Sequence, residues 1–374
     1  MKTPIGLLLL LSIAVVTSAQ ITTPPSGDNQ KSSVTQMIGL VSTTITYSSP
    51  DVHGSNGEDR KGHIWGELVH YGFVDQGFGP SKSAPWRAGA NENTTIKFSH
   101  DVLIEGKPLK AGTYGLFLAL SKEGPSQWIF SRNSSSWGSY FYSESEDALR
   151  VNAALEDWPY TEWLTYNFDD RQSKSAHAYL AWENKRIGFK VEVPNVLELY
   201  VDKIRGELNG TETGFDYKNF AAAARFCAQN KVALDQGLQW ADLAISMPYV
   251  GQKTFETLSS KAMVLNVMNK ATDADAIMAE AVRLPGVSVQ EVHDYGRSLL
   301  AAKRTDKALE IFQLNKKLHP DDKFTTYVGL ARAYTVIDDK KNAIKNWESA
   351  IKNIPSDQKS NLAYYEGELK KLKG

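Results

Sequence analysis

Two grammars of hydrophobic and polar positions divide the chain. From Ser33 to Val193 short apolar runs alternate with polar residues and are broken by turn residues. Val34 to Val41 and Thr44 to Tyr47 come first, closed by Pro50, and Ile96 and Phe98 alternate within Thr94 to Ser99. Val102 and Ile104 precede a turn at Glu105-Gly106-Lys107, and Tyr114, Leu116 and Leu118 alternate after Ala111-Gly112. Further runs lie at Trp128 to Phe130, Leu149 to Leu155, Leu164 to Phe168, Ala178 to Trp182 and Ile187 to Val193. A period of two sends every second side chain to one face. Many such runs at close spacing predict an antiparallel sandwich. From Asn195 the period changes. Val196, Leu199, Tyr200, Lys203 and Ile204 have helical spacing behind a potential Asn195 cap, and Gly206 to Gly214 reads as a linker.

Beyond that linker the chain repeats itself. Val289 to Asp322 carries Gly296, Ala308, Phe312 and Pro320, and Phe324 to Asp357 carries Ala331, Ala343, Trp347, Ala350 and Pro355 in equivalent slots. Phe255 to Ser288 offers Ala262, Ala274, Met278, Ala281 and, one residue early, Pro285. Tyr217 to Val250 offers Ala224, Trp240 and Pro248, with Gln236 where a small residue is expected. Small residues let two antiparallel helices approach, a large one packs on the next unit, and proline stops the second helix. The spacing resembles the tetratricopeptide repeat of about 34 residues. Asn361 to Leu372 is expected to be a polar capping helix.

The fold expected is therefore a two-domain α+β chain, an antiparallel β-sandwich followed by an all-α tetratricopeptide-like solenoid. Its parts are a signal peptide over 1–19, a flexible leader over 20–32, the sandwich over 33–193, a helix and linker over 194–216, and repeats over 217–374. The signal peptide rests on Lys2, the apolar run Ile5 to Val16 and the small residues Thr17 to Ala19. That run is too short to span a bilayer, so cleavage near Gln20 would leave no membrane span. The expected destination is the periplasm or the exterior of a cell.

Composition narrows function mainly by exclusion. A net charge of −1 over 374 residues argues against nucleic acid as a partner. The single cysteine, Cys227, excludes an internal disulfide and a cysteine-rich zinc site, and its neighbours Arg225 and Phe226 give it no evident reactive pocket. His63, Glu67 and His70 would share a face on a helix, as metal ligands can, but Gly62 and Gly66 oppose that helix. No metal or other cofactor is expected. No phosphate-binding loop, dinucleotide fingerprint or nucleophile elbow is present.

The most distinctive stretch is Trp86-Arg87-Ala88-Gly89-Ala90-Asn91-Glu92. Arg87 offers a donor fork, Glu92 an acceptor pair and Asn91 both. One reading is a binding patch walled by Trp86 and joined by Trp137 and Tyr142; the other is an internal Arg87–Glu92 pair that pins a loop. Seven tryptophans fall in the β half, and Trp86 and Trp137 are expected to be its exposed ones.

Together with Leu109 to Leu116, Trp137-Gly138, Asp147 to Arg150, Glu162-Trp163-Leu164 and Trp182-Glu183, this stretch resembles the DUF2911 family of exported bacterial proteins. The resemblance spans roughly Ser33 to Val193, implies a Gram-negative source, and assigns no function or catalytic residue. Two readings of function stand. In the first, the helical repeats of a non-enzymatic exported scaffold bind a protein or peptide. In the second, Trp86, Trp137 and Tyr142 stack on a glycan, and Glu92 with Asp147 or Glu162 supplies the two carboxylates of a hydrolase.

Overall fold

The computed structural model describes residues 29–54 and 56–374. The expected signal peptide and most of the expected leader lie outside them. The chain divides into a unit ending at Val196 and a unit from Leu197 to Gly374.

Ten strands build the first unit: β1 Gln30–Ile38, β2 Val41–Ser49, β3 Thr95–Phe98, β4 Val102–Ile104, β5 Lys107–Leu109, β6 Gly112–Ala119, β7 Ser126–Ser131, β8 Asp147–Ala153, β9 Glu156–Asp169 and β10 Ser175–Glu192. They form a six-stranded sheet in the order β1-β2-β3-β6-β7-β8 and a four-stranded sheet in the order β5-β4-β10-β9. All the strand pairings are antiparallel. The strand β1 starts inside the expected leader: Gln30, Lys31 and Ser32 pair with Ser49, Ser48 and Tyr47. Polar composition hid this, because an edge strand needs burial on one face only.

Aromatic rings close the space between the sheets. Phe189 of β10 lies edge-on to Trp128 and Phe130 of β7, at 5.4 and 5.2 Å between ring centres. Tyr166 of β9 meets Tyr47 of β2 at 4.8 Å. These are edge-to-face separations that add to the area the rings bury. Between β2 and β3 the chain makes a long excursion over residues 50–94. It returns to the sheet through single bridges, Trp86 to Leu118 and Tyr71 to Leu120.

Ten helices follow: α1 Val196–Leu208, α2 Tyr217–Asn230, α3 Leu234–Ser246, α4 Phe255–Val267, α5 Ala271–Ala281, α6 Val289–Ala301, α7 Thr305–Leu318, α8 Thr325–Val336, α9 Lys340–Lys352 and α10 Leu362–Lys373. The helix α1 runs through Gly206, which was expected to open a linker; the turn starts only after Leu208. Val201 and Leu208 are buried with Phe220 and Trp240, so α1 belongs to the helical core. From α2 to α9 the helices pair as four hairpins, one per repeat unit, and α10 packs on α9. Thr254 and Ser288 cap α4 and α6 with reciprocal capping boxes.

The small positions act as the repeat requires. Phe312 of α7 is fully buried, and its ring fills the space that a Cβ on Gly296 or Gly329 would need. One large side chain thus locks α6, α7 and α8 together. In the first hairpin the close approach shifts by one residue: Gly237, not Gln236, faces Cys227 across α2 and α3. Cys227 is fully buried, and burial pushes its thiol up to about 11.

Alanine at 329 would gain helix propensity yet collide with the Phe312 ring. We expect Gly329→Ala to cost about 2 kcal/mol, and Phe312→Leu in the same chain to recover part of the loss. Urea unfolding followed at 222 nm checks both.

Candidate functional site

The excursion places the distinctive stretch of the first unit, but not as a stacking platform. Trp86 is 7% exposed rather than open, since its backbone pairs with Leu118 and its ring stacks on Trp182 at 6.3 Å. Trp65 adds a third ring at 6.4 Å. Tyr142, also buried, donates a 2.8 Å hydrogen bond to Asp147 and receives one of 2.9 Å from Arg150. Burial and the Asp147 carboxylate push its hydroxyl pKa well up. Trp137 is exposed, at 52%.

Arg87 and Glu92 do not pair with each other. Arg87 donates to the Asn91 carbonyl at 2.6 Å, lies over the Tyr140 ring, and fills the space a Cβ on Gly138 would occupy. The Trp-Arg and Trp-Gly motifs therefore meet: the guanidinium of one needs the glycine of the other. Glu92 binds Lys31 and accepts from Ser48 at 3.2 Å. Burial opposes its ionisation, but Lys31 and Ser48 hold the carboxyl below its usual range. The Ala88 carbonyl accepts from both Thr94 and Tyr166.

A hollow of about 340 Å³ opens beside Trp86 and Trp182, rimmed by Arg60, Arg87, Asn91 and Gln76, and no carboxylate among the described residues lines it. Asp147 is held by Arg150 and Tyr142, and Glu162 by His53 and Tyr160, none of which is a partner of Glu92. The two-carboxylate arrangement is not assembled there. His63, Glu67 and His70 lie in turns, not on a helix. No group of three or more histidine, cysteine, aspartate or glutamate side chains among the described residues could hold a metal ion.

Further hollows lie in the helical unit. One of about 590 Å³ is walled by Gln290, His293 and Arg297 of α6, by Thr325, Val328 and Arg332 of α8, and by Tyr364 of α10 with the turn before it. A second, sharing Arg297, Arg332 and Tyr364, continues to Leu300, Thr335 and Trp347. A third, of about 530 Å³, lies between α4 and α6 and is mainly apolar, with Phe255, Met263, Met278 and Tyr295. The first helix of each of the last three hairpins lines this face through the same repeat positions. The fifth, ninth and twelfth are Ser259, Met263 and Asn266, then His293, Arg297 and Leu300, then Val328, Arg332 and Thr335. The slot rule that found the small eighth position could have found the ninth beside it, but only the structure shows which face is open.

The polar groups here are held in place yet underused. Arg332 donates to the Tyr364 hydroxyl at 3.3 Å and sits 5.4 Å from that ring's centre, but its buried Nε has no hydrogen-bond partner. His293 is 5% exposed with Nδ1 unpartnered, and burial lowers its pKa to about 4, so it is neutral at pH 7.

A β-sandwich joined to tetratricopeptide-like helical hairpins is thus the class of chain that the fold defines. Residues 29–191 match the family described as "Protein of unknown function (DUF2911)". No curated protein matches the chain. Among solved structures, YrrB, described as "a TPR protein with an unusual peptide-binding site", is 15% identical with a TM-score of 0.29, over 43% of this chain and 80% of YrrB. MamA 41-end from Desulfovibrio magneticus RS-1 is also 15% identical, with a TM-score of 0.28, over 42% of this chain and 93% of its own. No helix among the described residues is long and apolar enough to cross a membrane.

Two outcomes follow from this geometry. Gly138→Ala and Arg87→Met should each lower the melting temperature of the β unit, by removing one side of the same contact. For His293 the folded pKa lies below the unfolded value of 6.5. Its contribution to stability is complete above pH 6.5 and falls as the pH drops towards 4, by about 2 kcal/mol at pH 5. His293→Gln should flatten that slope in urea titrations at pH 7 and pH 5.

Proposed function

We propose that this chain is a non-enzymatic, exported binding scaffold whose helical unit holds an extended segment of a protein or peptide. The observation that carries the reading is the row of hollows along α4, α6, α8 and α10, lined on the first three of these helices by the same positions of successive repeats. A row of equivalent positions offers a chain-like ligand one contact per repeat. The β unit, with its motif residues spent on internal contacts, acts as a folded partner domain in the same chain. Export, to the periplasm or beyond, goes with the first 19 residues as read from the sequence.

Panning a random peptide library on the full chain tests the binding reading. We expect enriched clones that lose at least tenfold in affinity on Tyr364→Ala, since it is an exposed aromatic shared by two adjoining hollows of this face, and aromatics are typical hot spots. Clones that bind this variant as well as the parent would overturn it. N-terminal sequencing of the protein from its native cells checks export, with a start near Gln20 expected.

A further inference from the structure

Resting on the peptide-binding reading, we infer that the groove selects segments with an acidic side chain, which enters the His293–Arg297–Arg332 pocket. An apolar side chain three or four residues away fills the neighbouring hollow.

The ninth repeat positions run Arg225, Met263, Arg297 and Arg332 across the face. Arg225 is satisfied inside the fold by Glu256 at 3.1 Å and by Ser260 at 2.8 Å. Arg297 has only Asp294, at 3.8 Å with both side chains more than half exposed. Arg332 makes no ion pair among the described residues. It is nonetheless fixed in place between the Tyr364 and Trp347 rings, at 5.4 and 6.0 Å. A guanidinium held by rings and a hydroxyl but with no carboxylate partner presents a preorganised fork to one.

His293 supplies the second, independent observation. It is more than nine-tenths buried, lines the same pocket, and leaves Nδ1 without a partner. Such a nitrogen costs stability unless something completes it; it is closed to solvent, so the arriving carboxylate meets it only with a shift of the ring and in the tautomer that carries the proton on Nδ1. Two acidic side chains lie on the walls. Glu368 is engaged by Lys371, and Asp357 stands on the exposed turn ahead of α10.

The spacing comes from α6. Gln290, His293 and Arg297 face one hollow and Glu291, Tyr295 and Ser298 the other, so the two flank a single helix. A helix with its side chains is about 10 Å across, which an extended chain crosses in roughly three residues. Phe255, Met263 and Met278 make the second hollow apolar, and methionine adapts to side chains of different shape.

The test uses fluorescein-labelled octapeptides with amidated C-termini, each with one glutamate and one leucine at separations of one to five, titrated against the full chain by fluorescence polarisation. Binding should peak at separations of three or four. It should weaken at least tenfold when the peptide glutamate becomes glutamine or when Arg332 becomes Gln, and Arg332→Lys should restore part of it. Met263→Lys should weaken binding of these peptides and leave that of matched peptides with alanine in place of leucine unchanged. Circular dichroism confirms that each variant is folded. Glutamate and glutamine peptides binding equally, yet both lost on Tyr364→Ala, would overturn the acidic selection and leave the peptide-binding reading intact. Binding only by peptides with a free C-terminal carboxylate would overturn the side-chain assignment. Failure of every peptide, including library clones, would remove the reading on which the inference rests.

Discussion

Both units depend on one kind of contact, in which a large side chain occupies the space a neighbouring residue gives up by having no side chain. In the helical unit the Phe312 ring lies against Gly296 and Gly329 and ties three helices together. In the β unit the Arg87 guanidinium lies against Gly138, with the Tyr140 ring beneath it and the Asn91 carbonyl as its acceptor. Protein interiors are packed at the density of organic crystals, so such a fit admits little variation on either side. It also explains why the Trp86-Arg87 and Trp137-Gly138 motifs occur together: Arg87 and Gly138 set each other's identity.

The helical unit was the more readable half. A repeat announces its own period, and the eighth and twenty-fourth slots name the residues that touch. The misreadings there are local. Gly206 continues α1 because its residues face a shared core, and Gly237 takes the small position that Gln236 could not. The strands were readable from alternation, but the excursion over residues 50–94 was not. It meets the sheet one residue at a time, and single bridges leave no period behind. Trp86 was misplaced for the same reason, because its glycine- and serine-rich flanks say nothing of the Leu118 backbone that covers it.

The groove was hidden differently. His293, Arg297 and Arg332 are ordinary polar positions of an amphipathic helix when each is taken alone. What distinguishes them is that neither arginine has a close carboxylate and the histidine leaves Nδ1 unpartnered, and that is a property of neighbouring helices rather than of the sequence around each residue. Arg225, at the same repeat position, has its acid and its hydroxyl and would be indistinguishable from the other two on a helical wheel.

The buried thiol between α2 and α3 has a practical side. Cys227 is the chain's only cysteine, and in the closed state it is covered and almost fully protonated at neutral pH. A disulfide reagent in solution therefore reacts only when the first hairpin separates. The rate at which absorbance develops at high reagent concentration is the rate of that separation, and at low concentration it gives the open fraction. The chain carries its own clock for breathing at one end of the repeat row, and occupancy of the distant groove can be timed against it without any added label.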